Sequence, residues 1–132
     1  MTATIKDRNT WARYAELINV PVLAAAKINA GSLVVATALG FAAPGSTATT
    51  LSYLGRAEEA VDNTSGANGA KAVNVRRKLA FKWVNDGSIT QANLMKNAYI
   101  VDDQTVAATD GGTTRSVAGR IVGVDSDGVW VE

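Results

Sequence analysis

The sequence contains no cysteine and no histidine. A chain without them has no disulfide, no thiol nucleophile, no thiolate or imidazole metal ligand and no Ser-His-Asp mechanism. A metal ion would need oxygen ligands alone, and a general acid or base would have to be a carboxylate, a lysine or a tyrosine. We therefore expect that the protein is not an enzyme and has no catalytic residue, cofactor or metal site.

A strong charge bias and long apolar runs are also missing. The 13 Lys and Arg residues are balanced by 12 acidic residues, which leaves a net charge of +1, whereas nucleic-acid-binding domains usually carry a clear basic excess. The longest apolar candidate, residues 20–26, contains Pro21 and is followed by Lys27, so it falls short of the ~18 residues that span a bilayer. The first residues lack the apolar stretch of a signal peptide. We expect a protein made in the cytoplasm, with no membrane and no nucleic-acid partner.

Short stretches of β-branched residues lie between 12 glycines, a pattern typical of short strands and turns. The clearest strand is predicted over residues 71–84, where the two faces alternate for more than ten residues, one apolar and the other basic. Arg77 is the one exception on the apolar face, which predicts a bulge, an edge position or an interface there. The apolar positions of this face are Val73, Val75, Leu79, Phe81 and Trp83.

Further strands are predicted over residues 32–38, 50–57, 98–101, 105–107, 117–124 and 129–131. The Asp127-Gly128 step between the last two predicts a hairpin. Residues 63–69 and 110–114 are predicted loops. Little helix is expected: two turns over residues 10–17, and one turn over residues 90–95 with Thr90 as its N-cap.

These elements predict an all-β fold, either a small β-barrel or a β-sandwich of the β-tulip or jelly-roll kind. The chain has the length of one typical domain. We expect residues 1–18 to form an extended N-terminal arm and residues 19–132 to form a single β domain.

Several polar clusters have a simple structural explanation. Residues 125–128 resemble the start of a calcium loop, but a hairpin turn explains all four. The adjacent acids Asp102 and Asp103 would point to opposite faces of a strand and could not converge on one bond, so a turn is favoured. Glu58 and Glu59 are interpreted in the same way. The glycines at 66 and 69 and at 111 and 112 lack the spacing of a phosphate-binding loop.

Two features favour contact with other macromolecules. The N-terminal arm carries Trp, Tyr and Arg, which often anchor interfaces, although the arm could instead fold back on its own core. A basic strip on the predicted strand 71–84 could be a solvated face, a nucleic-acid contact, or a charged contact with another copy or a scaffold. The strip consists of Lys71, Arg76, Lys78 and Lys82, with Arg77 beside it. The candidate interface residues are Lys6, Arg8, Trp11, Arg13, Tyr14, Arg76, Arg77 and Lys78.

Several short sequence motifs, taken in order, resemble those of the capsid cement, or head decoration, proteins of tailed bacteriophages and prophages. The resemblance covers residue 31 to the C-terminus and is carried by several short motifs. They are AGSLVV at 30–35, YLGRAEEAVDNT at 53–64, AKAVNVRR at 70–77, NAYIVDDQTV at 97–106 and AGRIVGVDSDGVWV at 118–131.

The resemblance implies a role like that of the lambda-type decoration protein. Such proteins bind the outer surface of an expanded capsid as dimers or trimers, clamp neighbouring major capsid protein subunits, and have no enzyme activity or cofactor. By this likeness the protein is a virion component made in the host cytoplasm, with a homotrimer favoured over a homodimer and the arm around residues 6–14 placed on the capsid. A tail or baseplate component and a carbohydrate-binding β module are the alternatives.

Overall fold

The predicted all-β fold is confirmed by the computed structural model, which describes residues 2–132. Within these residues the chain forms twelve strands and one short 3-10 helix. The strands are β1 Leu17–Pro21, β2 Lys27–Ile28, β3 Leu33–Ala36, β4 Ala42–Pro44, β5 Ser52–Ala57, β6 Val61–Asp62, β7 Ala72–Arg76, β8 Phe81–Asn85, β9 Asn97–Ile100, β10 Thr105–Ala107, β11 Val117–Asp125 and β12 Gly128–Val131.

The first half of the body is a five-stranded sheet in the order β1-β7-β5-β3-β4, with antiparallel neighbours. Just beyond β1, Val22 forms a parallel bridge with Ala42 of β4, and the Leu23 N–H donates to the Ala42 carbonyl at 2.9 Å. This contact covers one end of the β4 edge. The two-stranded sheet β2-β6 forms a separate ladder.

The second half is a closed barrel in the order β10-β8-β12-β11-β9. It closes through the antiparallel pair β9-β10 and the parallel pair β8-β10. The predicted hairpin at residues 125–128 is confirmed, because Asp125 pairs with Gly128 and two residues form the turn between them. Closure removes the edge strands that an open sheet leaves unpaired.

Each half has its own buried core, and β3 contributes to both. Leu33 and Val35 lie in the barrel core, whereas Val34 lies in the core of the five-stranded sheet. All three are fully buried. A strand covered on both faces must be apolar at every position, which explains the continuous apolar run that predicted a strand over residues 32–38.

The prediction of one strand over residues 71–84 is wrong, because the chain forms two strands there. β7 belongs to the five-stranded sheet and β8 to the barrel. Between them Lys78 has a positive φ of 61° and the Leu79 side chain is 54% exposed. A single strand of this length would extend roughly 46 Å, beyond either core. The alternation continues across the break because Val75 and Phe81 both point inward, into different cores.

The predicted helix over residues 10–17 is also wrong. Residues 10–16 form neither helix nor strand, and Leu17 begins β1. An isolated helix of two turns is marginal in water unless its apolar face packs on something. In this structure Trp11 and Tyr14 pack on nothing, since both are at least 90% exposed.

The predicted turn at residues 90–95 is present as a 3-10 helix over Gln91–Asn93, preceded by Thr90. The Thr90 N–H donates to Asn93 Oδ1 at 2.8 Å. The strands that sequence analysis missed, β1, β2, β4 and β6, have two to five residues each. They are too short for a period-two pattern to stand out from the surrounding loops.

Candidate interaction surface

The arm, here defined as residues 2–16, precedes β1 and carries large apolar side chains in solvent. Ile5 is 94% exposed, Trp11 91% and Tyr14 90%. Residues 2–14 are all exposed, so the described part of the arm does not fold back on its own core. The predicted interface residues Lys6, Arg8 and Arg13 lie on the same exposed segment. Water-exposed aromatic side chains on an extended segment are available to a partner surface.

The base of the arm is held by Arg77, directly after β7. The Arg77 N–H donates to the Glu16 carbonyl at 2.7 Å, and its guanidinium Nη1 donates to the Ala15 carbonyl at 3.2 Å. These are the first hydrogen bonds between the described part of the arm and the body. Arg77, the exception in the predicted strand, therefore positions the arm where it leaves the body.

Arg76 has a partner within the body. Glu58 Oε1 accepts hydrogen bonds at 3.0 Å from both Arg56 Nη2 and Arg76 Nε. The bond from Arg56, followed by that from Arg76, lowers the pKa of the Glu58 carboxyl. The Arg56 guanidinium also lies 4.8 Å from the centroid of the Phe81 ring. The charge of Arg76 is thus partly compensated on its own surface.

The predicted basic strip is not a continuous strip. Lys71 Nζ donates to the Asp62 carbonyl at 2.7 Å, and Lys82 Nζ pairs with Asp127 at 2.9 Å. Lys71 and Arg76 lie in or beside the five-stranded sheet, whereas Lys82 lies in the barrel. Lys78 is exposed in the turn between them. The strip is divided because its strand is divided, and most of its charges have local partners.

The acidic candidates occupy turns, as predicted. Asp102 Oδ1 accepts from the Gln104 N–H at 2.9 Å, which closes a turn before β10. In the β11–β12 hairpin, Asp125 Oδ2 accepts from Trp130 Nε1 at 2.7 Å. Residues 63–69 and 110–114 form loops. Across residues 2–132, no three acidic side chains lie close enough together to hold a metal ion.

Two parts of this surface were missed by sequence reasoning. The contact between Glu58 and Arg76 depends on the register between β5 and β7, which the sequence does not show. The contact between Glu58 and Arg56 could have been expected, because the two residues are only two positions apart. The edge strand β1 was assigned partly to the arm, although Ile18 and Val20 alternate with exposed residues. A strand that ends in proline is typical of a sheet edge, and this was the available signal.

Between residues 2 and 132 the structure holds no helix with the length and apolar character that a membrane span requires. Comparison of the chain with protein-family models, with curated proteins and with solved structures finds no match.

Proposed function

We propose that this protein is a structural component of a phage virion, which binds the outer surface of the expanded capsid as a homo-oligomer and clamps neighbouring major capsid protein subunits. The observation that carries the proposal is the exposed arm with Trp11 and Tyr14, held at its base by Arg77. The sequence motifs that resemble those of capsid cement proteins indicate the class of partner, a major capsid protein. The function is mechanical: contact, without chemical change in a substrate.

The length of the arm suits a clamp. An extended segment covering residues 2–16 spans at most about 50 Å. That length allows the arm to cross from the body to a neighbouring subunit. The body remains compact around its two cores, so the arm and the body can contact different subunits at the same time.

The energetics favour several weak contacts over one strong contact. Burial of two aromatic side chains, at about 150–250 Å² each, contributes roughly 8–12 kcal/mol at about 25 cal/mol per Å². Association itself costs about 4–15 kcal/mol in lost translational and rotational freedom. A single arm therefore binds weakly, whereas an oligomer that engages several capsid subunits gains through effective concentration.

A carbohydrate-binding module is less well supported. Such a site would need exposed aromatic rings grouped on one sheet face. Trp83 is buried in the barrel core, Trp11 lies on the arm, and Trp130 lies on β12 with Lys82 5.7 Å from its ring centroid. The three tryptophans are thus on separate parts of the described chain.

The test is co-sedimentation with expanded heads of the phage or prophage that carries the gene, prepared without this protein. We expect the full-length protein to bind at a dimer or trimer stoichiometry and to raise the melting temperature of the shell. A version lacking residues 1–16 should lose most of the binding. Within the full chain, the double change Trp11→Ala and Tyr14→Ala should weaken binding strongly, whereas the matched control Thr4→Ala and Thr10→Ala should not.

Absence of binding to heads, or equal binding by the truncated version, would contradict the proposal. Isolated tails are included in the same experiment. Binding to tails but not to heads would indicate the tail or baseplate component instead.

A further inference from the structure

A cavity lies at the junction between the five-stranded sheet and the barrel, next to the base of the arm. Its volume is about 190 Å³. Its apolar wall is formed by Leu54 of β5, by Phe81 of β8 and by Leu79 in the connection between β7 and β8. Leu54 packs against the core of the sheet, and Phe81 lies in the core of the barrel. The wall is therefore held in place by both cores.

One member of this apolar wall is open to solvent. Leu79 is exposed and belongs to neither core, whereas Phe81, two residues later, is buried. An exposed leucine gains little free energy from folding, because the gain comes from removal of apolar surface from water. Leu79 thus offers apolar surface to a group that enters the cavity from outside.

Two cations, Arg77 and Lys78, line the same cavity. Neither forms an ion pair within residues 2–132, whereas Arg76 and Lys82, on the strands before and after them, each pair with a carboxylate. Glu132 also lines the cavity but pairs with neither cation. Two positive charges and one negative charge leave the lining with a net charge of +1, so the cavity favours a group that carries a carboxylate.

The backbone at Lys78 is a second, independent observation. Its φ of 61° lies in the left-handed region, which glycine and asparagine adopt more readily than lysine does. Strained positions of this kind persist where the surrounding structure holds them, and they cluster at functional sites. A lysine at a position that favours glycine points to a role for its charged side chain outside the fold itself.

The volume of the cavity selects the kind of occupant. Small-molecule sites usually have about 300–1,000 Å³, so this cavity is too small for a typical cofactor or substrate. A cavity of about 150 Å³ holds one benzene ring. The cavity therefore has the size for one large apolar side chain of a protein partner.

We propose that this cavity binds one apolar side chain from a segment of a major capsid protein subunit, with a carboxylate of the same segment paired to Arg77 and Lys78. The identity of the partner rests on the proposed function, whereas the chemistry of the cavity does not. Arg77 also donates to the Ala15 carbonyl at 3.2 Å, so the arm leaves the body beside the cavity. A subunit that contacts Tyr14 of the arm is within reach of the cavity, and the body adds a second contact to that of the arm.

The chemistry of the cavity is tested by NMR titration of the full-length protein without capsids. The probe is 3-phenylpropionate, which joins one phenyl ring to one carboxylate. We expect saturable shifts of the Leu54 and Leu79 methyl signals with a Kd on the order of 1–10 mM. Propionate, which lacks the ring, should leave these signals unshifted. The uncharged 3-phenylpropanamide should bind about twofold to fivefold more weakly than the probe.

Three variants assign the binding to the cavity. Leu79→Asp removes part of the apolar wall and places a carboxylate beside the two cations, so it should abolish the shift of the Leu54 methyl signals. The matched control is Leu39→Asp, because Leu39 is even more exposed and lies outside the cavity. Lys78→Gly suits the backbone conformation and removes the charge. It should weaken probe binding about twofold to fivefold without lowering the melting temperature, a result that a purely structural role of Lys78 would not give.

Co-sedimentation with expanded heads tests the partner. Leu79→Asp should weaken binding to heads by about tenfold relative to Leu39→Asp. Equal binding by the two variants would overturn the capsid as the occupant.

Absence of shifts at Leu54, or equal shifts with propionate and with 3-phenylpropionate, would overturn the cavity as a site for an apolar side chain with a carboxylate. If the wild type does not bind heads, the proposed function and the capsid partner fail together. The titration alone then decides whether the cavity binds this chemistry.

Discussion

The closed barrel and the five-stranded sheet differ in how completely their strands are paired. In the barrel, β10 pairs with both β8 and β9, so each of its strands has two neighbours. In the sheet, β7 is the one strand that pairs with β1 along its length within the described chain, and only the residues directly after β1, Val22 and Leu23, contact β4. The exposed arm continues directly from this open strand. The difference places the features suited to interaction in the sheet half, and a fully paired framework in the barrel half.

The first prediction concerns the barrel core and has the largest expected effect. Ile121 of β11 is fully buried, whereas Val117 on the same strand is 43% exposed. Ile121→Ala should lower the free energy of unfolding by about 2–5 kcal/mol through lost burial and a cavity. Val117→Ala should change it by less than about 0.5 kcal/mol. Urea denaturation measures both, and equal losses would show that the barrel core is not the main source of stability.

The second prediction concerns the joint between the two halves. Tyr53 of β5 accepts a hydrogen bond at 3.2 Å from Trp83 Nε1 of β8. Burial raises the pKa of Tyr53 from 10.0 to about 12. Between these pH values the unfolded state has lost a proton that the folded state retains, so the free energy of unfolding falls as the pH rises. The raised pKa of Tyr53 adds about 2–3 kcal/mol to the free energy of unfolding, and this addition is fully present below pH 10.

Tyr53→Phe supplies the comparison, because it has no hydroxyl to titrate. We expect the free energy of unfolding of the wild type, relative to that of Tyr53→Phe, to fall by that amount between about pH 9 and about pH 12. Urea denaturation of both proteins at the two pH values measures this difference. The other lysines and tyrosines cancel in the difference between the two proteins. A difference that stays constant with pH would mean that the Tyr53 hydroxyl titrates normally in the folded protein.

The third prediction concerns the open strand and has the smallest effect. An edge strand with one neighbour opens locally at lower free energy than a closed barrel, so the Ile18 and Val20 amides should exchange with solvent faster than those of β11 and β12. Arg77→Ala removes the guanidinium bond to Ala15 and should lower protection of Ile18 by about 0.5–1.5 kcal/mol. Lys78→Ala is the neighbouring control. NMR hydrogen exchange measures these effects, and an equal change in the barrel amides would contradict local opening.

Much of the fold could be predicted from local patterns. The β11–β12 hairpin follows from the Asp-Gly step between two Val-rich runs, and the apolar run around Val34 indicated a strand. The exposed aromatic residues of the arm were also identified as candidates. The break after Arg76 was missed, because Val75 and Phe81 continue one alternating pattern into two different cores.

The candidate surface was less predictable, because its properties depend on residues that are distant in sequence. Arg76 bonds to Glu58, and Arg77 bonds to the Ala15 carbonyl. Both contacts depend on the pairing of β7 with β5 and β1. Composition and period-two alternation dictate an all-β chain with short strands, because they depend on the backbone and on neighbouring side chains. Which edges close and which charges find partners depends on long-range strand pairing, because residues that lie side by side in the sheet, such as Leu17 and Arg76, are far apart in the sequence.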